Sequence, residues 1–86
     1  MNQNYREGAE KYLNIQADIL RDEAIGLDSL DDREISPIIS RTIPISRQIV
    51  RNMGIYRKAE ISESVIENYL SNLEKFKKRA IILMQS

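Results

Sequence analysis

The chain has 86 residues, with 13 basic and 13 acidic side chains, no cysteine and no histidine. That is the size of one small domain with little core of its own, and the inventory excludes disulfides, thiolate zinc sites and histidine-based acid–base or metal chemistry. The longest purely apolar run, residues 80–84, is far short of a membrane span, and the polar opening 1–7 has no signal-peptide core, so a cytoplasmic location with no membrane partner is expected.

Asn2 or Asn4 can cap a first helix running over about 5–26, with Gly26 as the residue beyond its end. Leu13, Ala17, Leu20, Ala24 and Leu27 recur at helical spacing and form its apolar stripe. Tyr5, Ala9, Tyr12 and Ile19 widen that stripe on one flank, while Ile15 stands apart as a single exposed apolar residue. Asp31 with Glu34, flanked by Leu30 and Ile35, marks a short turn of helix that Pro37 stops. Ser36 then caps a new short helix with Pro37 at its first position, Ile43-Pro44 interrupts it, and residues 45–53 resume as another that Gly54 closes.

Residues 55–61 connect to a long last helix over 62–85. Its start is marked by a serine N-cap at Ser62 inside an Ile61–Ile66 staple, with Ser64 and Glu67 offering a competing capping box. Ile66, Tyr69, Leu73, Phe76, Ala80 and Leu83 alternate three- and four-residue steps, and Val65, Leu70, Ile81 and Met84 broaden the stripe. A stripe this long beside so small a core predicts that the last helix packs along the first and also on a second copy, in a homodimer that uses those six residues as its interface. The expected fold is an all-α single-domain bundle, 1–86, with long N- and C-terminal helices and short middle helices.

Charge is distributed unevenly. Residues 1–34 carry nine acids and four bases, a net of −5, whereas 35–59 hold Arg41, Arg47, Arg51, Arg57 and Lys58 with no acid. The basic middle can serve an anionic partner or the acidic first helix. Within it, Ser40 is a small residue at helix-crossing spacing, Ile39, Ile43, Ile45, Val50 and Met53 are apolar, and Pro44 stands at the turn. Residues 38–54 thereby resemble a helix-turn-helix DNA-binding motif, although that family usually carries glycine where Pro44 stands. The resemblance implies that Ser46, Arg47, Gln48, Arg51 and Asn52 face the major groove and that Arg41, Arg57 and Lys58 hold phosphates. Arginine suits guanine and phosphate, and glutamine or asparagine suits adenine.

Two functions follow: a small dimeric DNA-binding regulator of that type, or a helical protein–protein module, such as a subunit, adaptor or inhibitor, acting through the C-terminal helix and the acidic first helix. The carboxylates Asp18, Asp22, Asp28, Asp31 and Asp32 read as caps and dipole partners and lack a calcium-loop pattern. No base, oxyanion loop or glycine-rich phosphate cradle accompanies a serine or lysine, so no enzyme activity, cofactor, metal or small-molecule substrate is expected.

Overall fold

In a computed structural model, which describes residues 3–85 apart from the side chains of Gln3, Asp32, Met84 and Gln85, the chain is all-α. Helix α1 (Gln3–Gly26) leads through a 3-10 turn (Leu27–Ser29) to α2 (Asp32–Arg51), α3 (Met53–Lys58) and α4 (Glu63–Gln85). The body is elongated, 46 × 19 × 17 Å. Helices α1 and α4 form the most extensive pairing. They run in the same direction, since Arg79 near the end of α4 meets Asp28 just past the end of α1 at 2.7 Å. Between them α2 runs the opposite way, and Thr42 and Arg41 meet Glu23 near the end of α1.

The core holds Leu13, Ala17, Leu20 and Leu27 from the α1 side and Ile66, Tyr69, Leu73, Phe76 and Ala80 from α4, closed by Ile35, Ile49, Met53 and Tyr56. The apolar stripes that define both long helices in the sequence are therefore consumed by each other. Ile66, Tyr69, Leu73, Phe76 and Ala80 are buried and Leu83 is half-buried within one chain, so the expected dimer surface on α4 is unavailable to a second copy. Among the described residues no helix is long and apolar enough to cross a membrane.

The middle of the chain departs most from its expected form. Helix α2 is continuous from Asp32 to Arg51 and contains both Pro37 and Pro44, with no turn between residues 38 and 51. Ile35, Ile38, Thr42, Ser46, Ile49 and Met53 recur every three or four residues without interruption across Pro44, and that face is buried or half-buried. Each fully buried large apolar side chain contributes about 1.5–3 kcal/mol, whereas an interior proline costs about 3 kcal/mol. Both prolines lie on the exposed face, as do Arg33 and Ser40, whose carbonyls would have accepted from positions 37 and 44. Water can satisfy those solvent-facing carbonyls.

The helix starts one turn earlier than Ser36. Asp31 is the N-cap, and its side chain accepts from the Glu34 amide at 3.1 Å. The helix ends at Arg51, and Gly54 lies inside α3 instead of closing the preceding helix. Gly26 likewise is the last residue of α1 in right-handed geometry, φ −70°. Of the two proposed N-caps for α1, Asn2 lies outside the described residues.

One left-handed residue closes α3. Glu60 has φ 62°, its amide donates to the Arg57 carbonyl at 3.0 Å, and the Ile61 amide donates to the Tyr56 carbonyl at 3.1 Å. These two bonds form a Schellman motif with Glu60 where glycine usually stands. The motif places Ile61 in the core, adjoining the start of α4, where the Ile66 amide donates to the Ser62 carbonyl at 3.2 Å.

Candidate binding surface on the middle helices

The residues expected to bind DNA separate into three environments. Ser46 is buried, and its hydroxyl donates to the Thr42 carbonyl at 3.1 Å, so it belongs to the interior. Asn52 is half-buried at the α2–α3 junction, where its backbone carbonyl accepts from the Tyr56 amide at 3.0 Å. Arg41 and Arg57 are exposed but engaged, with Glu23 at 3.5 Å and Glu63 at 3.7 Å. Arg47, Gln48, Arg51 and Lys58 remain exposed, and among the described residues no carboxylate lies within ion-pair range of the three cations.

Helical geometry explains the division. Ile49 is 1 % exposed and anchors the last turns of α2 to the core. Arg47 and Arg51, one turn apart, therefore point outward on the side nearer α4, and Gln48 and Arg41 lie on the side nearer α1. Of the positions the motif would use to pin its helices, Met53 is buried, Ile39 and Ile43 are half-buried, and Ile45 and Val50 are exposed.

Val50 and Ile43 take part in a feature the sequence reading missed. Together with Leu73 and Ser46 they line a groove of about 510 Å³ between α2 and α4, edged by Arg47, Arg51 and Lys77. Lys77 comes from the basic run 75–79, whose other members are partly spent: Lys78 pairs with Glu74 at 3.8 Å and Arg79 with Asp28. Three cations around an apolar floor attract a ligand that is both acidic and apolar. The one-turn spacing of Arg47 and Arg51 was legible in the sequence, but the approach of Lys77 depends on how α2 crosses α4.

A second cleft, about 300 Å³, lies between α1 and α2 and is lined in part by Gln16, Ile19, Glu23, Thr42 and Tyr69. Among its polar groups, Arg41, Thr42 and Glu23 are committed to one another. The Thr42 hydroxyl donates to Glu23 Oε2 at 2.7 Å, and burial pushes the Tyr69 phenol above its ordinary pKa. This layer ties α1 to α2. Replacing Thr42 with valine should cost about 1.5–3 kcal/mol, because Glu23 keeps its charge and loses its shortest hydrogen bond. Urea unfolding of the variant measures the loss, and a change below about 0.5 kcal/mol would remove the layer from the stability argument.

Asp18, Asp22 and Asp31 have similarly local roles. Asp18 and Asp22 contact Arg21 at 3.3 and 3.5 Å, and Asp31 caps α2. Among the described residues no three metal-ligating side chains converge. No known protein family, curated protein or solved structure matches the chain.

Proposed function

We propose that this chain is a non-enzymatic helical interaction module whose α2–α4 groove captures an acidic amphipathic segment of another protein. The observation that supports this reading is the set of Arg47, Arg51 and Lys77, without carboxylate partners among the described residues, around the apolar floor of Ile43, Val50 and Leu73. A helix laid into such a groove buries its apolar side chains on the floor and places its carboxylates against the rim. Electrostatic attraction steers the encounter, and the apolar floor supplies the burial that holds the complex.

A second reading, DNA binding, has its own support. No acidic residue occurs between positions 35 and 59, and Arg47, Gln48, Arg51 and Lys58 are exposed there. The major groove admits a single helix, so a reader of this kind does not depend on a turn at Pro44. The floor of the α2–α4 groove has no role in that mode, which is why the protein partner is preferred.

One titration separates the two. A fluorescein-labelled helical peptide with leucines on one face and glutamates flanking them, and a labelled mixed-sequence 20-base-pair duplex, are each titrated with the wild type and with Arg47→Glu/Arg51→Glu. The module reading expects peptide binding that weakens at least tenfold in the variant. Duplex binding without peptide binding, with a salt slope shallower by about two in the variant, assigns the face to DNA. Peptide binding unchanged by the two substitutions would remove the groove from the proposal.

A further inference from the structure

Burial of the main stripe of α1 leaves a second stripe on the same helix facing outward. Tyr5, Tyr12, Ile15 and Ile19 are 43, 43, 47 and 40 % exposed, four of the large apolar side chains on the surface. With Gly8, Asp22 and Gly26 they fall at steps of three and four residues over the whole helix, the spacing of a two-helix seam. Ile45 of α2 stands beside Ile19 and extends the patch. Neither Gly8 nor Gly26 has an atom within 4 Å of where a β-carbon would stand, so a neighbouring helix can approach closely there.

We propose that this stripe is the contact between two copies of the chain, with the α1 helices antiparallel about a two-fold axis near residues 13 and 14. The stripe's own side chains select that register. It sets Tyr12 of one protomer against Ile15 of its partner, lets Ile19 fill the space over Gly8, and brings the Tyr5 phenol to the Asp22 carboxylate. On the flank it sets Lys11 against Asp18. Every contact occurs twice, as a two-fold interface requires. Lys11 has no carboxylate within ion-pair range among the described residues, and the Asp18 and Asp22 contacts to Arg21 are exposed pairs that contribute little and can be shared. A parallel pair would set Asp18 of one copy near the partner's Glu23, acid against acid, which disfavours it. A second copy fits better than an unrelated helix because the large, small and charged positions of one stripe complement its own reverse.

Sedimentation equilibrium on the full chain tests this. The wild type should be dimeric at tens of micromolar. Ile15→Asp and Gly8→Leu should each weaken the dimer at least tenfold with unchanged helicity, since both positions are exposed and Gly8 has open space in the protomer. Lys11→Asp and Asp18→Lys should each weaken it at low salt, and the double variant should recover. With no native cysteine, a nitroxide placed at Asn14→Cys should lie close to its counterpart, and one at Arg21→Cys about 20 Å further along the axis. A wild type that stays monomeric at several hundred micromolar overturns the proposal. A dimer indifferent to Ile15→Asp and Gly8→Leu, or one with equal spacing of the two labels, overturns it as well.

Discussion

Phe76→Ala should cost this protein a large fraction of its folding stability. The ring is completely buried at the centre of the α1–α4 interface, and truncating such a side chain costs about 3–5 kcal/mol through lost burial and the cavity left behind. A domain of this size has a total stability of roughly 4–13 kcal/mol, so the substitution removes a large fraction of it. Circular dichroism at 222 nm against urea is the direct measurement. Phe76→Leu keeps much of the volume and should lose clearly less, which separates packing from aromaticity. A loss under about 1 kcal/mol for the alanine variant would mean that α1 and α4 do not enclose that ring.

The second large effect has the opposite sign. Pro44→Ala should stabilise the protein by about 1–3 kcal/mol, or raise its melting temperature by about 5 °C or more. Alanine restores an amide that can donate to the Ser40 carbonyl and removes the ring from a helix that already runs straight through the position. The expectation depends on α2 being one helix. If the chain turned at Pro44, alanine there would gain no helical bond and would loosen a rigid turn, so the variant would be neutral or less stable. A thermal melt of this substitution thus reports directly on the architecture of the middle segment.

The difference between the readable and unreadable parts of the chain has a physical origin. The stripes of α1 and α4 are sustained over many turns, and period alone identifies them. The prolines of α2 are strong local signals that were outweighed by a buried face extending beyond them at both ends, a case of packing overriding local preference. Of the expected binding residues, Arg41, Arg47, Gln48, Arg51, Arg57 and Lys58 are exposed. Ser46 is not, because the two-helix arrangement that would have turned it outward is replaced by a single helix whose buried face includes it.

The expected dimer contact on the α4 stripe required that one chain leave part of it uncovered, and α1 together with α2 and α3 covers it nearly completely. The outward stripe of α1 escaped notice for a related reason. Glycine and aspartate at three of its seven positions break the apolar pattern, and with Ile15 set aside the rest resembled a flank of the core. Its exposure is set by the angle at which α2 packs on α1, which no local pattern encodes.

The shared direction of α1 and α4 carries a consequence for biogenesis. The first helix to be synthesised finds its main packing surface only in the last, and α2 and α3 offer it a smaller one in the interval. At ordinary elongation rates roughly 3–12 s separate completion of α1 from completion of α4, and through that time the leucines of α1 have no lasting cover. Nascent copies on neighbouring ribosomes would meet with both apolar faces of α1 open, so the outward stripe and the future core compete for the same partners until the chain is finished.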